Sequence, residues 1–222
     1  MKWQINYLDD YYFRKELNMI DNISVFHSSI KIVEDKTIYF DPYKIQDEAH
    51  DADYIFITHS HYDHYSPEDI EKIINDNTVI IAPQSMQSEI FYDNVIYVVP
   101  GEEYNESGIC FSTVWAYNVD KHFHPKANMW VGYVVQIADQ KVYVAGDTDV
   151  TEESKMVKCD IAFIPCGGTY TMGSHEAAFL ANTIKPKIAI PTHYGAIVGS
   201  RSDGEEFIKQ LDSDIQGKIL IK

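Results

Sequence analysis

Thr58-His59-Ser60-His61-Tyr62-Asp63-His64 places three imidazoles and a carboxylate within six residues, directly after the apolar run Tyr-Ile-Phe-Ile at 54–57. Alternate residues of an extended chain project to the same side, roughly 7 Å apart along the strand, so His59 and His61 can converge on one ion. A turn then returns Asp63 and His64 to the same pocket. Nitrogen and oxygen donors of borderline hardness suit Zn²⁺ and also Mn²⁺ or Fe²⁺. A loop at the mouth of a buried strand and ahead of a capped helix is where open α/β proteins carry their sites. A second pair, His122 and His124, lies two residues apart. The three cysteines, Cys110, Cys159 and Cys166, show no C-x-x-C spacing and read as buried free thiols. No G-x-S-x-G elbow, Walker loop or dinucleotide fingerprint is present, which removes serine hydrolase, NTPase and dehydrogenase chemistry.

The elements that must hold these residues are mostly strands. Short runs rich in Ile, Val, Tyr and Phe recur between turn residues from Ile23 onward, from ISVFHSSIKIV to the terminal KILIK. Three helices are expected. Ser66, Pro67 and Asp69 read as an N-cap, a first-turn proline and a first-turn acid opening PEDIEKIIND. Ser174 reads as the cap of HEAAFLANTI, which stops before Pro186. DGEEFIKQL supplies the third. Strands outnumber helices and do not simply alternate with them, so the fold class is an α/β sandwich of two sheets with outer helices. No repeat, low-complexity tract or linker divides the 222 residues, which read as one domain. About 1–22 form an N-terminal arm or extension, either a short helix packed outside or an arm to another subunit in a homo-oligomer.

Eighteen basic residues against 34 acidic ones leave a formal charge of −16, which repels polyphosphate and anionic lipid. Nucleic acid and membrane are therefore unexpected partners. No apolar run approaches the ~20 residues of a membrane span, and the N-terminus is too polar for a signal peptide, so a cytoplasmic location is expected.

H-x-H-x-D-H after a buried strand resembles the second motif of the metallo-β-lactamase superfamily. Asp41 in TIYFDPY is similar to its first motif, Asp147 in VYVAGDTD to its fourth and His193 in IAIPTHYG to its fifth. The phrases VFHSSIKI, FHPKANMWVGYVV and PCGGTYTMGSHEAAFLANTIKPKIAIPTHYG resemble most the branch of ascorbate phosphate lactonase-like proteins and metal-dependent hydrolases. The resemblance implies a metallo-β-lactamase-like αββα sandwich and two divalent ions, zinc first and manganese second. It places His59, His61 and a third histidine on one ion and Asp63, His64 and His193 on the other. Asp147 and a hydroxide lie between them, with Asp41 supporting the loop. The departure is at the third motif, where Asn118 stands in the ligand's place; His124 is then the expected ligand, held by Pro125, with His122 the alternative.

Such a centre implies a hydrolase that needs no protein nucleophile, with Asp63 and Asp147 nearest the reacting water. The expected substrate is a small anionic ester, either a phosphodiester or a phosphorylated lactone, with Lys126 as a clamp for its charge. Tyr194 is a candidate donor to a developing oxyanion, His27 a support behind the site, and Gly168 part of a substrate-facing turn. Cys166 reads as buried, and His50 and His175 as surface residues. Two rivals stay open: a metal-binding protein without turnover, motivated by Asn118, and a nuclease, disfavoured by the charge.

Overall fold

The structure is a computed structural model that describes residues 19–221. Residues 1–18 of the expected arm lie outside it. Met19 and Ile20, by contrast, are buried in the central core, so residues 19–22 belong to the body of the fold.

Six strands form the first sheet in sequence order: β1 (Ile23–Phe26), β2 (Ser29–Val33), β3 (Thr37–Phe40), β4 (Tyr54–Phe56), β5 (Val79–Pro83) and β6 (Val95–Val98). β1, β2 and β3 are antiparallel neighbours, and β3 to β6 are parallel. The second sheet holds β7 (Glu103–Glu106), β8 (Ile109–Trp115), β9 (Val131–Ile137), β10 (Gln140–Val144), β11 (Ile161–Pro165), β12 (Ile188–Thr192) and β13 (Gln216–Gly217), also side by side in chain order. It is antiparallel from β7 to β10 and parallel from β10 to β13.

Side-chain alternation explains the layering. Phe56 and Ile81 enter the core between the sheets, whereas Ile55, Ile57 and Ile80 point outward under α1 (Pro67–Ile73). On the second sheet, Val142, Val144, Ile161 and Phe163 face inward, and Tyr143, Ala162 and Ile164 face α2 (Ser174–Ile184) and α3 (Arg201–Lys209). Strands such as β4, β5, β11 and β12 are therefore buried on both faces, which is why they read as unbroken apolar runs. Phe56 anchors the middle, 5.0 Å from Phe40 and 5.0 Å from Tyr133 between ring centroids. The result is the expected sandwich, helix on sheet on sheet on helix.

Details differ from expectation where local chemistry outweighs pattern. Gly173, not Ser174, is the N-cap of α2, because the Glu176 carboxylate accepts the Gly173 N–H at 3.0 Å and serves the cap from inside the helix. Helix α3 starts at Arg201, ahead of Asp203, whose carboxylate accepts the Ser200 N–H at 2.7 Å. Edge strand β7, Glu-Tyr-Asn-Glu, is too polar to be read as a strand; the charges suit a sheet edge. KILIK is not a strand: the last one ends at Gly217, and Ile221 makes a single bridge to Val25.

Helix α1 is tied down by Asp69. Its carboxylate accepts the backbone N–H of Lys44 and Ile45 at 2.8 and 2.9 Å, the Ser66 hydroxyl at 2.8 Å and Lys72 Nζ at 2.9 Å. Burial works against the charge, but these donors, Lys72 and Ser66 foremost, hold the carboxyl below the usual range. A group with a depressed folded pKa contributes stability above its unfolded value of about 3.9 and loses it as pH falls through the folded value. Asp69→Asn should therefore cost about 2 kcal/mol at pH 7. The gap in denaturant midpoint from the parent should narrow on acidification below about pH 4.

Candidate metal centre

The centre lies at one end of the sandwich, where the C-terminal ends of six strands meet. His27 follows β1, Asp41 follows β3, the His59–His64 loop follows β4, Asn118 and His124 follow β8, Asp147 follows β10 and His193 follows β12. This is the edge at which open α/β sheets expose polar groups, because successive loops emerge there without covering one another.

Asp147 is the vertex. It is 4% exposed, and its Oδ2 lies 3.2 Å from His124 Nε2 and 3.1 Å from His193 Nε2, with Oδ1 3.4 Å from His64 Nε2. On one side His59, His61, His124 and Asp147 bring four ligand atoms within 4.8 Å of one another. His59 Nε2 and His61 Nδ1 face each other at 3.1 Å, so the two do converge. On the other side two overlapping sets share His193: His64 with Asp147, and His27 with Asp63.

Supports behind these groups select their orientation. Asp41 accepts the Thr58 N–H at 2.7 Å and its hydroxyl at 2.6 Å, and pairs with His64 Nδ1 at 2.7 Å. The pair aims His64 Nε2 at Asp147. Asn118 does the same for His124. Its side-chain oxygen accepts from both the backbone N–H and Nδ1 of His124, each at 3.0 Å, while its amide nitrogen donates to Tyr170 O at 3.0 Å. The asparagine at the third motif is thus an orienting group, and the histidine it turns toward Asp147 lies six residues further along the loop. His122 is exposed and joins no cluster, because one turn of the loop directs it to solvent while Pro125 follows the buried His124.

The donors fit a cation. His124 Nδ1 donates to the Asn118 side-chain oxygen, which turns Nε2 toward the Asp147 carboxylate at 3.2 Å. An imidazole nitrogen and a carboxylate that converge in a buried site need a positive charge with them, either a proton or a metal ion. Burial, with His64 nearby, lowers the pKa of His59 well below the usual range, and burial with His124 lowers that of His61, which favours neutral imidazoles. Burial opposes a charge on His193 as well, yet Asp147 and Asp63 lift it to about 9. Asp63 is held far below the usual carboxylate range by His193 and His27, against burial. The carboxylates therefore stay anionic, and protons on histidine balance them when no ion is bound.

The other expected residues are placed as follows. His27 is fully buried, with Nε2 3.3 Å from Asp63 Oδ2 and its ring 4.2 Å from that of His193. It therefore lies within the polar cluster rather than behind it. Lys126 is not free to clamp a substrate. Its Nζ pairs with Glu153 at 2.6 Å and sits over the rings of Trp115 and Tyr117, at 4.9 and 4.4 Å. Tyr194 is no oxyanion donor, because it points away from the cluster into the core beneath α3, against Gly204. Gly168 has a left-handed backbone with open space beside it, as a site-facing turn requires. Of the three cysteines expected to be buried, Cys166 is, Cys159 is half-buried and Cys110 is exposed because it points outward on β8; His50 and His175 are exposed.

Residues not anticipated complete the wall. Trp130 packs against His59, tilted at 4.8 Å, and against His61, edge-on at 4.9 Å, and Thr58 Oγ1 lies 2.9 Å from His59 Nδ1. Ser28 Oγ lies 3.3 Å from His64 Nε2. Thr58 and Ser28 adjoin His59 and His27, so proximity in the chain was a usable signal for them; Trp130 had none, because its contact arises across sheets.

If Asn118 orients His124, Asn118→Ala should weaken binding of an ion by the group of His59, His61 and His124 about 10- to 100-fold. Asn118→Asp, which keeps the acceptor, should lose less. Competitive chelator titration of the two variants measures both.

Comparison with known proteins agrees with this geometry. Residues 24–193 match the family model described as a beta-lactamase superfamily domain. A UPF0173 protein of Pyrococcus abyssi is 33% identical over 76% of this chain and 80% of its own. A UPF0173 metal-dependent hydrolase of Staphylothermus marinus is 30% identical over 88% and 92%. A crystal structure from Parabacteroides distasonis, provisionally named a metal-dependent hydrolase, superposes with a TM-score of 0.77 at 30% identity, covering 90% of this chain and 93% of that one. The chain belongs to the metallo-β-lactamase superfamily and, within it, to the UPF0173 family of metal-dependent hydrolases.

Proposed function

We propose that the protein is a cytoplasmic hydrolase of small esters, a phosphodiester or a lactone, working with two divalent cations, zinc first and manganese second. His59, His61 and His124 would hold one cation and Asp63, His64 and His193 the other, with Asp147 shared. Bound there, two divalent cations would supply the Lewis acidity that lowers the pKa of water and polarises an ester oxygen. The observation that carries the reading is the position of Asp147, whose Oδ2 is within 3.2 Å of imidazoles from both groups. Asp63, 7% exposed and flanked by His27 and His193 at 3.3 and 3.5 Å, would orient the attacking water or accept its proton. Trp130 and the buried carboxylate supports exclude bulk water from the back of the site.

Asn118 no longer argues for a site without turnover, since it serves His124. The charge of −16 continues to disfavour long nucleic acids. An anionic group on the substrate rests on the cations themselves, because Glu153 neutralises Lys126. Metal-free protein reloaded with Zn²⁺ or Mn²⁺, then dialysed, should retain two ions per chain by elemental analysis and hydrolyse a simple phosphodiester or lactone. Retention of none, with no hydrolysis, would overturn the reading.

A further inference from the structure

Large hydrophobic side chains left exposed on a folded surface cost solvation and mark binding faces when they gather. Ten are exposed among the described residues, and five of them adjoin residues of the centre in sequence: Phe26, Tyr62, Val119, Phe123 and Met129. Tyr62, 64% exposed, sits between His61 and Asp63, and Phe123, 46% exposed, precedes His124. These rings are not isolated. Tyr62 meets Tyr43 edge-on at 6.0 Å, Tyr43 lies 6.4 Å from Phe26, and Phe123 meets Tyr170 edge-on at 4.7 Å. Phe26, Tyr43 and Tyr62 lie at or after the C-terminal ends of β1, β3 and β4, whereas Phe123 and Tyr170 lie in the loops after β8 and β11. The rings therefore flank the centre from the first sheet and from the second. The two lysines of the intervening loop are both held by carboxylates, Lys121 by Asp149 at 2.6 Å and Lys126 by Glu153.

We propose that this row of rings is the specificity surface, and that the substrate carries an aryl or similarly flat apolar group beside its scissile ester. The inference rests on the hydrolase reading for its reaction, in which water adds at phosphorus or the acyl carbon, the ester C–O or P–O bond breaks and the leaving oxygen takes the proton. Offset and edge-on ring contacts favour an aryl group over an alkyl group of similar reach, and a ring already ordered by its neighbours loses little freedom on contact.

Two phosphodiesters with the same leaving group test it: bis(4-nitrophenyl) phosphate and methyl 4-nitrophenyl phosphate. The metal-loaded protein should prefer the first in kcat/KM by about tenfold or more beyond the ratio of their uncatalysed rates. Phe123→Leu and Tyr62→Leu should each reduce that preference severalfold. Calorimetric binding of phenylphosphonate and methylphosphonate, neither of which can turn over, gives an independent readout with the same expected order. Equal binding of the two phosphonates, or a preference untouched in both variants, overturns the inference. Selective phenylphosphonate binding without hydrolysis of any ester would uphold the aromatic surface and overturn the hydrolase reading instead.

Discussion

Replacing Asp147 with alanine is expected to leave a folded chain that no longer retains two ions and hydrolyses esters about three orders of magnitude more slowly. Its carboxylate is the one group that both imidazole sets face, and it is 4% exposed, so solvent cannot take its place. The change also removes the principal charge that lifts His193 to about 9, so in the metal-free protein that imidazole should titrate nearer neutrality. Asp147→Asn keeps the shape and removes the charge, which separates electrostatic loss from collapse of the pocket. Elemental analysis after dialysis, ester hydrolysis and a thermal melt of both variants make the comparison. Two retained ions in both would remove Asp147 from the shared position.

A second large effect is expected at Gly167, and none of similar size at its neighbour. A Cβ on Gly167 would lie 2.1 Å from the carbonyl oxygen of His193 and 2.9 Å from Val198 Cγ1. Neither the β11 nor the β12 terminus can yield without displacing His193. Gly167→Ala should therefore cost about 3 kcal/mol or more and loosen the ion held with His193. Gly168, with φ of +89° and nothing within 4 Å of the built Cβ, faces only the backbone penalty, about 1 kcal/mol as alanine. Urea melts rank the two, and metal retention shows whether the first variant also disturbs the centre. Similar losses in both would mean that the close approach is not what excludes a side chain.

The contrast shows what the chain disclosed on its own. Two sheets and outer helices were legible because β4, β5, β11 and β12 are apolar throughout, a pattern that only burial on both faces produces. The polar edge β7 was not legible, since its residues face water and its pairing is backbone only. In the centre, the loop from His59 to His64 could be read because its donors are close in sequence. Tyr194 and Lys126 were misread for one shared reason: adjacency to a metal-binding residue does not say which way a side chain points. Tyr194 turns under α3, and Lys126 meets Glu153, a partner 27 residues away. Asn118 was read as a missing ligand, and only the fold shows it gripping His124 instead.

Three residues of the centre, His27, Asp41 and His193, hold φ of 54°, 46° and 57°, a conformation that non-glycine residues adopt at a cost of about 1–2 kcal/mol each. Glycine would relax all three, and it would also delete an imidazole, a carboxylate and a second imidazole from the place where they meet. The strained turns and the convergence of these polar groups are therefore one feature of the backbone, and neither can be altered without the other. At Asp41 glycine would in addition orphan the buried Thr58 N–H and His64 Nδ1, so relief of the backbone would not by itself stabilise the fold.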